Sequence, residues 1–157
     1  MSQPLSPEID GCYHLFLQRL WEPEENCLQV IIDEAVVEAD EVIVEVSNVP
    51  KVAMAGRPIV VGPQSRAFRL SWPRYVAYSV ANESFHVQGE TDRIASGRLL
   101  VVYEASDYLN HVRRVTWDVG DAFGPVVHVG IFCLNHVIDV VGFGVPEIQP
   151  ASPSSSE

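Results

Sequence analysis

The side chains best suited to chemistry in this 157-residue chain are His128, Cys133, His136 and Asp139, all within one apolar run, Val126–Phe143 (VVHVGIFCLNHVIDVVGF). Imidazole, thiolate and carboxylate groups ligate zinc and transfer protons. Spacing argues against a shared ion. In one continuous strand His128 and His136 share a face, but eight residues separate them by about 26 Å. Folded as a hairpin with Asn135–His136 at the tip and arms Val126–Leu134 and Val137–Phe143, the run is expected to point these ligand types to different faces. No metal and no cofactor are therefore expected.

A Cys133 nucleophile would need one of His14, His86, His111, His128 or His136 beside it. A thiol in an apolar run reads more simply as core. The chain has no Gly-x-Ser-x-Gly elbow, no phosphate-cradling glycine loop and no dinucleotide fingerprint. No catalytic residue is assigned, and a non-enzymatic role is expected.

A second constellation interleaves aromatic and polar residues: Trp72, Arg74, Tyr75, Tyr78, Asn82, Glu83 and His86, followed by Tyr103, Glu104, Tyr108, His111 and Arg113. Tyr, Trp and Arg dominate binding hot spots. The competing assignment places Trp72, Tyr78 and Tyr103 in the core. If a cleft opened between sheet and helix, Tyr78, Tyr103, His111 and His136 would line it.

Charge is the strongest signal. The net charge is −11, and residues 1–50 hold eleven acids against one base, Arg19. Between Leu20 and Pro50 lie Glu22, Glu24, Glu25, Asp33, Glu34, Glu38, Asp40, Glu41 and Glu45, with no Lys or Arg. A field of one sign repels nucleic acid and anionic membranes and speeds association with a basic partner. The competing explanation is solubility alone.

These residues need elements to hold them. Strands are expected at Cys12–Leu20, Leu28–Asp33, Glu41–Val46 (with Val42, Val44 and Val46 facing the core), Lys51–Val61 with an interruption at Gly56–Pro58, Arg66–Trp72, Tyr75–Ala81, Arg98–Tyr103 and in the apolar run. Arg66–Trp72 alternates cleanly, placing Phe68, Leu70 and Trp72 on one face. Asp33–Asp40 reads as a turn of helix or a long loop, Ser47–Pro50 as a break, and Asp118–Pro125 as a loop. Asn82–Gly97 reads as a polar loop, with Phe85–Val87 extending a strand. Ala105–Thr116 (ASDYLNHVRRVT) is the best helix: Ser106 can cap it, Asp107 and Arg113–Arg114 suit the two ends of its dipole, and Tyr108, Leu109, Val112 and Val115 form a stripe.

The expected fold is α+β, mostly β: an antiparallel sheet or β-sandwich of about eight strands with one helix, about 106–116, packed on it. Residues 1–10 are expected to be a flexible lead, 11–146 a single globular domain and 147–157 a disordered Ser/Pro-rich tail. Three widely spaced cysteines and the absence of a secretory signal suggest reduced thiols in the cytoplasm. The function expected is an acidic protein-binding module of the inhibitor or immunity type that neutralises a basic partner, a toxin or a nucleic-acid-binding protein. It would bind neither nucleic acid nor membrane directly. Contacts are assigned to Glu22, Glu24, Glu25, Asp33, Glu34, Glu38, Asp40, Glu41, Arg74, Tyr75 and Glu83. The alternatives are a small-molecule binder or enzyme using the Tyr78–Tyr103–His111–His136 cleft, and a homo-oligomerising structural subunit.

Overall fold

Alternation of branched apolar residues with polar ones, broken by Gly and Pro, dictates strands through most of this chain. The computed structural model describes residues 2–45, 53–117 and 123–154. Its elements run α1 (Pro7–Asp10), β1 (His14–Trp21), β2 (Leu28–Val37), β3 (Val42–Glu45), β4 (Ala53–Gly56), β5 (Ile59–Val60), β6 (Ala67–Trp72), β7 (Tyr75–Asn82), a 3-10 turn (Glu83–Phe85), β8 (Arg93–Ser96), β9 (Leu100–Ala105), α2 (Asp107–Val115), β10 (Val127–Phe132), β11 (His136–Gly142) and β12 (Glu147–Ala151). The fold is mostly β with antiparallel sheets and one main helix, as expected, but with about twelve strands rather than eight.

The first sheet has the order β1-β2-β6-β12, and β5 pairs with the far end of β2. The second has the order β7-β11-β10-β9-β8, and β3 and β4 form a separate ribbon. The two sheets share one core. Val30, Ile32, Phe68 and Leu70 from the first pack with Leu100, Val129, Ile131, Ile138 and Val140 from the second. Each such side chain contributes about 1.5–3 kcal/mol on burial. The alternation read in β6 holds, since Phe68, Leu70 and Trp72 are all core.

Helix α2 covers the outer face of the second sheet, setting Leu109 and Val112 against Val141, Ala77 and Val126. Its start is where the sequence placed it: Ser106 is the N-cap, and its Oγ accepts the amide of Leu109 at 2.9 Å. Val115, expected in the apolar stripe, is exposed.

Several expectations are corrected. The lead is not flexible throughout, because Pro7–Asp10 forms α1, Ile9 is fully buried, and Asp10 Oδ1 accepts the amides of Arg98, Leu99 and Leu100 at 3.0, 2.8 and 3.1 Å. One carboxylate oxygen thus satisfies three successive amides at the start of β9. The tail is not disordered at its start. Glu147–Ala151 forms β12 on the edge of β6, where Pro150 is tolerated because an edge strand needs only one side of its ladder. Asp33–Val37 is strand rather than helix or loop, since β2 continues to Val37, and the loop begins only at Glu38. Glu83–Phe85 is a helical turn capped by Asn82, and the polar stretch after it contributes β8. Val42 is exposed, because the ribbon does not lie on the core. The side chains of Val44 and Val46, the break at Ser47–Pro50 and residues 118–122 of the expected loop lie outside the described residues.

Candidate functional site

The acidic third resolves into three environments along β2. At its start, the β1–β2 hairpin turns through Asn26 in the left-handed region (φ 65°), a conformation that Asn tolerates. Glu22, Glu24 and Glu25 are exposed on this turn. The Tyr75 hydroxyl donates to Glu22, and this bond pushes the Tyr75 pKa up to about 12. Arg74 is exposed nearby, with its guanidinium 5.8 Å from the Phe123 ring centroid. Behind the turn, Glu24 and Glu147 flank a groove of about 280 Å³ that includes Leu28, Trp72 and Pro73. Glu147 was not assigned to any site, because its stretch read as a disordered tail.

The middle of β2 presents no free acid. Asp33, expected on the partner surface, is 1% exposed. Gln18 Nε2 donates to its two oxygens at 2.9 and 3.2 Å, and Ser154 Oγ donates to Oδ2 at 2.7 Å. The register of β1 against β2 shifts between Leu17 and Arg19, which places Gln18 in a bulge and frees its side chain to make this contact. Glu34 is neutralised. Arg66 donates to it through Nε and Nη2, both at 2.9 Å, and through its amide at 3.1 Å, holding the Glu34 carboxyl down at about 2. Both residues are therefore removed from the candidate surface.

Beyond β2, Glu38, Asp40 and Glu41 are again exposed. The ten residues of β2 span roughly 30 Å, so two acidic groups stand at opposite ends of one strand.

The apolar run forms the hairpin β10–β11, with His128 opposite Val141 and Gly130 opposite Asp139. The expectation that its chemical side chains face different ways is half right. Cys133 lies in the inter-sheet core, but His128 and Asp139 share the face beneath α2. His128 is 1% exposed, with Nε2 2.8 Å from Asp139 Oδ1 and Nδ1 2.6 Å from Ser106 Oγ. A neutral ring with its proton on Nε2, assigned from these partners, closes the chain: Nε2 donates to the carboxylate, Ser106 donates to Nδ1, and Ser106 Oγ accepts from the Leu109 amide. Tyr103 stacks on the imidazole at 4.2 Å and 12°, and Tyr108 tilts against it at 5.2 Å. Burial is the main cause raising both tyrosine pKa values. Gly130 permits the stack, because a Cβ there would lie 2.9 Å from Tyr103 Cε2.

These residue types match an acyl-transfer triad, but their setting does not. Ser106 is buried, and its hydroxyl is committed to capping α2. The chain of bonds ties helix to sheet.

The other chemistry-bearing residues are dispersed. Tyr78 packs on the inter-sheet core, Tyr103 lies on the opposite face of the same sheet, His111 is exposed on α2, and His136 opens β11 opposite Asn82. The sheet does not bring these four to one cleft. A different cleft, of about 210 Å³, gathers His14, Glu83 and His86 over Leu15, Leu99 and Phe132. Cys133 also lines it, but burial pushes this thiol up to about 12, which removes the thiolate a nucleophile needs. Sequence reasoning did not group His14 with His86, because His14 belongs to the first sheet and His86 follows β7 of the second, and only the packing of the two sheets brings them together.

Among the described residues no group of three or more His, Cys, Asp and Glu side chains is placed to hold a metal ion, and no helix is long and apolar enough to cross a membrane. No protein-family model, no curated protein and no solved structure matches this chain.

Proposed function

We propose that this protein is a non-enzymatic binding module that engages a basic protein partner through its exposed carboxylates, as an inhibitor or immunity-type protein would. One observation carries the reading. Glu22, Glu24, Glu25, Glu38, Asp40 and Glu41 are all exposed, and among the described residues none is in an ion pair. Acids serving only the fold would resemble Asp33 or Glu34, which are satisfied internally. Unpaired surface charge of one sign steers an oppositely charged partner and repels nucleic acid. Three free thiols, Cys12, Cys27 and Cys133, favour action in a reducing compartment such as the cytoplasm.

The test is affinity capture from the native host with the wild-type chain and with two charge-reversed chains, Glu22→Lys/Glu24→Lys/Glu25→Lys and Glu38→Lys/Asp40→Lys/Glu41→Lys. A stoichiometric basic protein retained by the wild type and lost by at least one reversal supports the reading. Its association rate should fall steeply with salt. An acidic or neutral partner, or a basic one whose on-rate ignores both reversals, overturns it.

A second reading, a small-molecule binder, rests on the His14–Glu83–His86 cleft. Ligand-induced chemical-shift changes confined to those residues would favour it.

A further inference from the structure

Where β2 leaves the sandwich, both of its faces are open. Successive strand residues point to opposite sides, so a strand lying on a core hides one of each adjacent pair. Val36 and Val37 are instead 37% and 48% exposed, and Val42 and Ile43 in β3 are 45% and 72% exposed. Their neighbours do not complete the sheet. Among the described residues, the two-residue β5 pairs with β2 alone, and β3 and β4 pair only with each other. Four branched apolar side chains, and strand edges that are unpaired among the described residues, therefore occur within eight residues of chain, interleaved with the exposed Glu38, Asp40 and Glu41.

We infer that this arm is a docking edge for an extended, basic segment of a partner protein, which adds to it as a strand. The inference rests on the acidic-surface reading above and narrows it to one end of β2 and one mode of binding. Strand addition supplies the missing ladder hydrogen bonds, and alternate side chains of the incoming segment meet the exposed valines and isoleucine. The remaining side chains, Lys or Arg, meet Glu38, Asp40 and Glu41. A second copy of this chain is a poor occupant, because it would set these acids against their own counterparts. An open apolar edge without an occupant promotes aggregation, and charges along it block indiscriminate pairing while admitting a strand of opposite sign.

The test titrates the full chain with two synthetic strands of equal length, one alternating Lys and Val, the other Glu and Val. Amide hydrogen exchange and mass in solution are the readouts. The Lys–Val strand should bind one per chain, slow exchange at residues 36–43 and 53–60, and release as salt rises; the Glu–Val strand should not bind. Glu38→Lys/Asp40→Lys/Glu41→Lys should weaken binding by roughly tenfold or more, and Val37→Ser/Ile43→Ser should weaken it without removing its salt dependence. Equal binding of both strands, protection elsewhere, no binding of either, or dimerisation of the free chain through this edge overturns the inference. If only Glu22→Lys/Glu24→Lys/Glu25→Lys lowers affinity, the acidic-surface reading stands and this edge falls. If neither reversal lowers it, both fall.

Discussion

His128 Nε2 lies 2.8 Å from Asp139 Oδ1 across β10 and β11, on a face where the imidazole is almost wholly enclosed. Asp139 lies opposite Gly130, two residues beyond His128, so the contact is a diagonal one whose existence depends on register. Through Ser106 the same imidazole reaches the cap of α2, and one side chain therefore couples the hairpin to the helix that covers it.

Replacing His128 should unlatch that coupling. His128→Ala leaves a buried cavity and two unsatisfied partners, and is expected to cost about 2–4 kcal/mol in denaturant unfolding. Asp139→Asn keeps an acceptor and should cost about 1 kcal/mol. Equal, small losses for both would show that the imidazole does not couple the hairpin to the helix.

Glu34 should set part of the acid limb of stability. Its folded pKa of about 2 lies below the ordinary value of 4.5, so its pairing with Arg66 stabilises the fold above about pH 5 and is lost as pH falls toward 2. Because Arg66 is half-exposed, solvent screening limits the contribution to about 0.5–1 kcal/mol. Glu34→Gln should lose that much at pH 7 and converge with wild type near pH 2. Parallel stability curves from pH 7 to pH 2 would refute the assignment.

Gly130 makes room for an aromatic ring. A Cβ there would lie 2.9 and 3.0 Å from Tyr103 Cε2 and Val101 Cγ2, and Tyr103 is pinned against His128. Gly130→Ala should cost about 1–3 kcal/mol through overpacking. Tyr103→Ala in the same chain should absorb most of that increment, a coupling that a double-mutant cycle measures.

Residues 147–154 should behave as part of the fold. Removing residues 147–157 strips the β12 ladder from β6 and takes Ser154 from the buried Asp33. We expect a loss of about 2 kcal/mol or more and faster exchange of β6 amides. An unchanged melting temperature would restore the reading of this stretch as a free tail.

How far each feature could be read from the chain follows from the range of its interactions. Helix α2 and its Ser106 cap are local: a hydroxyl three residues before an amide, followed by a narrow apolar stripe. The inner face of β6 is equally local, because period-two alternation survives any choice of partner. Strands β8 and β12 carry little such pattern. Arg93–Ser96 and Glu147–Ala151 are polar or Pro-containing, and they become strands because edges of β9 and β6 offer them hydrogen bonds.

For the candidate site, the sequence alone determined that the first third of the chain is acidic. Only the tertiary structure decided which acids remain available. Burial against Gln18 and Ser154 removed Asp33, and a guanidinium 32 residues away neutralised Glu34. A hairpin with its tip at Asn135–His136 was one of two arrangements open to Val126–Phe143, but the pairing of His128 with Asp139 was not legible. A tip at Asn135–His136 would place these residues four positions apart along the ladder, whereas the observed register, which sets Phe132 opposite Val137, places them two apart. That shift keeps every side chain on its face and so leaves no trace in the hydrophobic pattern. Packing of α2 and the hold of Asn135 on Leu17 of β1 act from outside the hairpin to select it.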